Sequence, residues 1–180
     1  MIQRAVRAAM LDRRLYSQLT FESSATADGV IIVAGIAAIL YLAGAWASGS
    51  PLAEWPIGVL QSAILGCASW LILAFATWLV GSKIFRSSGG MESVIRLHGY
   101  AHVPLLLMVA VPLIDNGMAG QLIAIAATVW FLAALVQATR EALDQDNQKA
   151  WMSVLLGFAI VFLVSLAFRA PFLAVEGLRS

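Results

Sequence analysis

Residues 55–82 read WPIGVLQSAILGCASWLILAFATWLVGS, a long run without a single charge. A helix that crosses the hydrocarbon core of a bilayer, about 30 Å thick, needs roughly 18 or more predominantly apolar residues. The run exceeds that length. Because no water is available inside a membrane, its backbone must form its own hydrogen bonds. The stretch therefore predicts a transmembrane α-helix.

Four further runs have the same character, at 29–53, 97–114, 116–139 and 150–168. The chain has 180 residues, of which 61% are hydrophobic and only 12% are charged, whereas soluble domains have about 25% charged residues. The runs also lack the alternation of apolar and polar residues that is typical of β-barrel strands. We therefore predict an all-α integral membrane protein with five transmembrane helices in one bundle.

Positive charges are distributed unevenly between the segments that flank these runs. Four arginines precede the first run, three basic residues lie between the second and third, and two lie between the fourth and fifth. The first and third connections carry none, and the C-terminal tail carries Arg169 and Arg179. Short cytoplasmic segments are enriched in Lys and Arg. The N-terminus is therefore predicted in the cytoplasm and the C-terminus outside.

The division of the chain follows from the same runs. Residues 1–28 form a predicted cytoplasmic segment, residues 29–175 the membrane domain and residues 176–180 a tail. The predicted spans are 29–47, 57–81, 97–114, 118–139 and 150–168. Asp115-Asn116-Gly117 has the composition of a tight turn between the third and fourth spans.

The first 20 residues allow two interpretations. Ile2, Val6 and Met10 recur at helical spacing on one side, whereas Arg4 and Arg7 lie largely on the other. This pattern is typical of an amphipathic helix that rests on the anionic cytoplasmic leaflet. The alternative is a frayed basic flank that only sets the topology.

Small residues recur every four positions in the second run, at Gly58, Ser62 and Gly66. This spacing lets helix backbones approach closely in a membrane. A weaker version of the pattern occurs in the fourth run at Gly120, Ala124 and Thr128. Packing within one bundle is the favoured interpretation, and a homo-oligomer interface is the alternative.

Residues 96–104, RLHGYAHVP, hold the polar side chains of the third run. His98 and His102 are four residues apart and share a helix face, which is the spacing of a two-ligand metal pair. A metal site needs a third ligand, and the candidate near in sequence, Glu92, is not fixed against this face. We therefore favour the interpretation that the two histidines form a polar face at the membrane interface. Pro104 removes the hydrogen bond to the carbonyl of Tyr100 and is expected to bend or break the helix.

The same segment resembles the Ypt-interacting-protein (Yip) family of small polytopic membrane proteins. The likeness begins at the charged, glycine-containing loop 81–90, GSKIFRSSGG, and continues through Leu97-His98-Gly99-Tyr100-Ala101-His102-Val103-Pro104. The second stretch is similar to the family's Gly-Tyr-Ala…Pro pattern at the start of the third span. The resemblance implies a five-span, non-enzymatic bundle.

In eukaryotic members the resemblance implies association with prenylated Rab-type GTPases and a role in vesicle traffic. This sequence departs from those members because only a short segment precedes its first span. It is therefore expected to be a prokaryotic relative in the bacterial plasma (inner) membrane. The candidate functional residues are Arg96, His98, Gly99, Tyr100, His102 and Pro104.

The sequence contains no nucleophile elbow, P-loop, HExxH or dinucleotide fingerprint. No acidic residue lies deep inside a predicted span, where a charge would mark a transport pathway or relay. We therefore expect neither enzymatic activity nor a cofactor. A net charge of +1 gives no basic field for binding nucleic acid.

The sequence leaves three hypotheses for the function. The first is a membrane adaptor or organising protein of the trafficking type, embedded in lipid, with a protein partner on its cytoplasmic face. The second is a small permease or channel that uses the Pro104-bent third helix. The third is a metal-binding membrane protein that uses His98 and His102.

Overall fold

The structure is a computed structural model that describes residues 1–114 and 117–177, with side chains described up to residue 166. Within these ranges all the regular secondary structure is helical. The α-helices described are α1 (Ile2–Ala9), α2 (Arg13–Leu19), α3 (Ser24–Ala47), α4 (Trp55–Lys83), α5 (Met91–Ala101), α6 (Met118–Leu143) and α7 (Asn147–Gly177). The 3₁₀ helices in the same ranges are Leu52–Glu54 and Val103–Leu113.

Five helical stretches of the described chain are long and apolar enough to cross a membrane. They are Ser24–Ala47, Leu52–Lys83, Met91–Leu113, Met118–Leu143 and Asn147–Leu166. The predicted all-α fold with five membrane-spanning helices is confirmed. Asp115 and Asn116 of the predicted turn lie outside the described residues, as do residues 178–180 of the predicted tail.

The N-terminal segment, the loop after α4 and the turn after α6 meet at one end of the bundle. Arg13 Nε lies 3.3 Å from Glu141 Oε1, and Gln145 Nε2 donates a 2.6 Å hydrogen bond to Ser87 Oγ. We call this end, which carries residues 1–23, 84–90 and 144–146, the N-terminal end. The end that carries residues 48–54 is the opposite end.

The buried core is concentrated in the half of the bundle nearer the N-terminal end. In α4 the buried residues begin at Trp70 and continue to Gly81, whereas Ile57, Leu60 and Ile64 at its start are exposed. Most buried residues of α6 likewise lie in its last ten positions. Helix–helix packing is therefore tightest at the N-terminal end, and lipid contact dominates toward the opposite end.

The N-terminal segment forms two short helices rather than one continuous helix. The chain turns at Leu11, whose φ is +59°, and Asp12 then caps α2 by accepting hydrogen bonds from the backbone N–H of Arg14 and Leu15. The Asp12 carboxylate also lies 2.7 Å from the Arg7 guanidinium, and this hydrogen-bonded contact lowers the pKa of Asp12. An aspartate at the N-cap starts a new helix.

The α2 helix is part of the bundle core. Its side chains Leu15, Tyr16 and Leu19 are almost completely buried. The Tyr16 hydroxyl donates a 3.2 Å hydrogen bond to the carbonyl of Ala8, and burial raises the pKa of this phenol. The N-terminal segment is therefore packed against the bundle rather than frayed.

The third span changes from an α-helix to a 3₁₀ helix at His102. The N–H of His102 bonds to the carbonyl of Gly99, and the N–H of Leu105 bonds to the carbonyl of His102, both with three-residue spacing. Pro104 explains the change, because it has no N–H to offer Tyr100 and its ring would clash with that carbonyl. The 3₁₀ segment rises about 2.0 Å per residue instead of about 1.5 Å, so the two parts still cover a bilayer.

Gln145 connects three segments at the N-terminal end. It is 7% exposed, donates to Ser87 Oγ and accepts a 3.1 Å hydrogen bond from Ser153 Oγ. Ser153 is itself fully buried. The loop after α4, the turn after α6 and the first turns of α7 are therefore held by one side chain.

We expect Gln145→Ala to lower the free energy of unfolding by about 1–3 kcal/mol, because a buried serine hydroxyl then loses its partner. The matched control is Gln148→Ala, three residues further along, where the side chain is exposed. The control is expected to change stability by less than about 0.5 kcal/mol. Denaturant unfolding in detergent micelles measures both, and equal losses in the two variants would contradict the role given to Gln145.

Candidate functional site

Helix α5 lies at the centre of the N-terminal end. It packs against α3, α4 and α6 and also contacts α1 and α2. Every residue from Arg96 to Ala101 is buried. Buried polar groups must be hydrogen-bonded if they are not to destabilise the fold. The partners of these side chains therefore define what the segment does.

Gly99 allows α5 to approach α3 at backbone distance. A Cβ atom at position 99 would lie 2.6 Å from the Cα of Gly29 and 3.3 Å from Cζ2 of Trp70. A Cβ atom at position 29 would instead meet Trp70 at 3.4 Å and Gly99 at 3.5 Å, which is ordinary van der Waals contact. Glycine is thus required at position 99 but not at position 29.

Arg96 joins the N-terminal segment to α3 and α5. Its Nη1 donates to the carbonyl of Thr20 at 3.0 Å, and its Nε donates to Thr26 Oγ1 at 3.1 Å. Its Nη2 donates to Glu92 Oε2 at 2.9 Å. The forked guanidinium is suited to several fixed hydrogen bonds at once. Arg96 therefore acts as a structural cross-link between three segments.

The contacts of Arg96 form one polar cluster, and Tyr100 belongs to a second one beside it. Its hydroxyl donates a 2.6 Å hydrogen bond to Asp28 Oδ2. Arg4 Nη1 lies 2.9 Å from Glu22 Oε1 and 3.8 Å from Asp28 Oδ2. The hydrogen bond to Glu22 raises the pKa of Arg4. Helix α1 is thereby tied to the start of α3.

His98 is fully buried against α6. Its Nε2 lies 2.9 Å from Thr139 Oγ1, and its Nδ1 has no hydrogen-bond partner within the described part of the chain. Thr139 is also fully buried. The contact between these two side chains fixes the register of α5 against α6.

His102 lies one turn further along and faces the interior of the bundle. Its Nδ1 is 2.7 Å from the carbonyl oxygen of His98, so this nitrogen must carry the proton and donate. The ring also contacts Phe131 edge to face, with centroids 4.9 Å apart. Within the described residues, there is no group of three or more His, Cys, Asp or Glu side chains that could hold a metal.

Two of the glycines singled out for helix packing lie on the face of α4 that meets α3. Gly58 lies against the ring of Tyr41, and a Cβ at Gly66 would be 2.8 Å from the Cβ of Ala37. Ser62, between them, donates to the carbonyl of Val59 within its own helix. This geometry corresponds to packing inside one chain.

The small residues that recur every four positions in α6 lie in two different environments. Gly120 is buried and lies near the carbonyls of Val111 and Ile114. Thr128 is exposed, and its hydroxyl donates to the carbonyl of Ala124 in the same helix. The α6 residues therefore do not form one continuous contact stripe.

Sequence reasoning missed most of the partners of these residues. Asp28, Thr20, Thr26 and Thr139 come from other segments, and their local sequence contains no motif. One available signal was Asp28, a charge placed directly before an apolar run. Such a residue at a membrane boundary is expected to have a polar partner.

The family model for the Yip1 domain matches residues 13–168 of the chain. The matched range includes α5 and its polar partners Thr20, Thr26, Asp28 and Thr139, whereas Arg4 lies before it. A comparison with curated proteins and a comparison with solved structures both give no match.

Gly99→Ala is expected to destabilise the bundle by more than about 1 kcal/mol, because overpacking a fixed contact costs about 1–3 kcal/mol. Gly29→Ala is the matched control, since its added methyl finds ordinary contact distances. It is expected to be neutral or slightly stabilising, because alanine is favoured over glycine within a helix. Thermal unfolding of the two variants in detergent measures the difference, and similar midpoints would contradict the proposed contact.

Proposed function

This chain belongs to the Yip1 family, and we propose that it is a non-enzymatic membrane adaptor whose N-terminal end recruits a protein partner. We further propose that this end lies in the cytoplasm and that the protein is in the plasma (inner) membrane of a bacterium. The orientation is supported by the concentration of Lys and Arg in the segments at that end.

The observation that carries the proposal is a set of partly buried polar contacts that join separate segments at the N-terminal end. Arg96 holds the segment after α2, and Gln145 holds two loops. Preorganised surfaces bind partners with a smaller loss of conformational entropy.

The surface that these contacts hold has the composition of a protein-binding site. Phe21 is 87% exposed at the N-terminal end. It lies beside a cleft that is also lined by Ser17, Ser88, Ser93 and Glu141. An exposed aromatic side chain surrounded by polar groups is typical of an interface anchor. We therefore propose that Phe21 is the central contact of the partner surface.

A permease or channel is the second candidate, and the change of helix type at His102 favours it. Discontinuous helices mark substrate sites in transporters. The close packing of Gly29, Gly99 and Trp70 opposes it, because α3 and α5 meet there at backbone distance and leave no path between these two helices. Purified protein in liposomes that passes a solute, with a flux altered by His102→Ala, would establish this function instead.

Photoreactive amino acids placed at Gln18 and Ser88, both exposed at the N-terminal end, are expected to cross-link a protein of discrete mass in native membranes. The same probe at Ser48, exposed at the opposite end, is the matched control and is expected to give no such adduct. Phe21→Ser should reduce the yield several-fold without changing the amount of protein in the membrane. Adducts with lipid alone, or with a second copy of this chain alone, would contradict the adaptor function.

A further inference from the structure

Helix α1 has an apolar face that the described part of the chain does not cover. Ile2, Val6 and Met10 are four residues apart and form one stripe along the helix. Their side chains are 75%, 48% and 74% exposed. The cleft beside Phe21 does not include them. Adjacent large apolar side chains on a surface mark a contact with a membrane or a protein.

The residues around α1 fall into three successive sectors. At about 100° per residue, the apolar stripe covers an arc of about 80°, exposed polar side chains follow, and small side chains packed on the bundle complete the turn. The three groups are Ile2, Val6 and Met10, then Gln3 and Arg7, then Ala5 and Ala8. A helix that lies flat at a membrane surface beside a bundle meets lipid, water and protein in the same way.

The last turn of α1 is hydrogen-bonded as a helix end without water requires. The final four carbonyls of an α-helix have no partner within it, and at a hydrated end they can bond to water. In α1 the carbonyls of Val6 to Ala9 are all bonded within the chain. Their donors are, in order, the N–H groups of Met10, Asp12 and Leu11 and Nε1 of Trp130. Such complete pairing is the rule where backbone meets lipid.

Trp130 places the end of α1 beside the apolar part of α6. Its Nε1 donates a 2.7 Å hydrogen bond to the carbonyl of Ala9. Trp130 precedes Arg140, the first charge after the uncharged run 116–139, by ten residues or about 15 Å along the helix. Helix α1 also packs against the 3₁₀ part of the third span. The end of α1 is therefore level with lipid-facing helix surface.

The charges of the segment do not account for an attachment to lipid. Three of the four arginines in residues 1–23 are paired with carboxylates. The pairs are Arg4 with Glu22, Arg7 with Asp12 and Arg13 with Glu141, at N–O distances of 2.9, 2.7 and 3.3 Å. Adsorption to anionic lipids depends on free basic side chains. The apolar stripe is therefore the part of α1 that is suited to lipid.

We propose that α1 is an interfacial helix whose Ile2, Val6 and Met10 side chains insert among the acyl chains of the leaflet at the N-terminal end. Apolar faces of such helices are buried about 5–10 Å into the boundary between headgroups and acyl chains. Trp130 holds the end of the helix at this level, and Gln3 remains in water. The helix sets the height of the N-terminal end at the membrane surface, whether or not that end binds a protein.

The test uses the full-length chain with Cys67→Ala in phosphatidylcholine nanodiscs, with single spin labels at Val6, Met10 or Gln3. Collisions with oxygen, which concentrates in hydrocarbon, are compared with collisions with a water-soluble nickel chelate. The ratio of oxygen to chelate collisions is expected to be several-fold higher at Val6 and Met10 than at Gln3. Anionic phosphatidylglycerol and high salt are expected to leave this pattern unchanged.

Three results would overturn the proposal. Chelate access at Val6 and Met10 equal to that at Gln3 would show that the stripe faces water. Low access of both reagents at the stripe would show that a second copy of the chain or another protein covers it. An oxygen preference that appears only with anionic lipid, or that high salt removes, would show electrostatic adsorption instead of apolar insertion.

The role of Trp130 is tested by Trp130→Phe, which keeps an aromatic ring and removes the N–H bonded to Ala9. With the label at Met10, this variant is expected to lower the ratio of oxygen to chelate collisions and to increase label mobility. Trp151→Phe, at an equally exposed indole on α7, is the matched control and is expected to change neither. The same response in both variants, or in neither, would show that Trp130 does not hold α1.

A charge placed in the stripe tests the insertion independently of the labelled positions. Val6→Glu is expected to lift α1 from the leaflet, because a carboxylate is costly among acyl chains. The label at Met10 should then lose its oxygen preference several-fold. Gln3→Glu adds the same charge on the water side and is expected to leave the Met10 label unchanged. Equal effects of the two substitutions would refute a lipid-inserted stripe.

Discussion

The close approach of α3 and α5 at Gly29 and Gly99 is the contact on which the N-terminal end depends. Lipid tails are as apolar as leucine, so helices in a membrane gain little from hydrophobic burial and associate through close packing and hydrogen bonds. Gly99 provides that close packing, since a methyl group there would lie 2.6 Å from the Cα of Gly29. With α5 in this position, Arg96 reaches Thr20 and Thr26, and Tyr100 reaches Asp28.

The second constraint is the proline that ends the α-helical part of the third span. Every backbone group inside a membrane needs a partner, and Pro104 prevents the α-helical pattern from continuing past Ala101. The chain resolves this conflict with 3₁₀ hydrogen bonds, which also lengthen the segment enough to cross the bilayer.

The five spans could be predicted from sequence because transfer into lipid is a property of each segment alone. The hydrogen-bond partners of His98 and Arg96 could not be predicted from sequence, because they depend on which helices cross and at what depth. Thr139 is 41 residues from His98, and Thr20 is 76 residues from Arg96. The break at Leu11 was missed for a similar reason, since a leucine with positive φ is stabilised there by Asp12 and by packing onto the core.

The contact between Gly29 and Gly99 makes the N-terminal end one rigid surface. Spin labels at Gln3 and Gln148, both exposed, would report this directly by pulsed electron resonance in a lipid bilayer, in a Cys67→Ala background. A single narrow distance distribution is expected, broadened by Gly99→Ala and unchanged by Gly29→Ala. A broad distribution in the unmodified sequence, or identical broadening in both variants, would contradict a rigid N-terminal end organised by this contact.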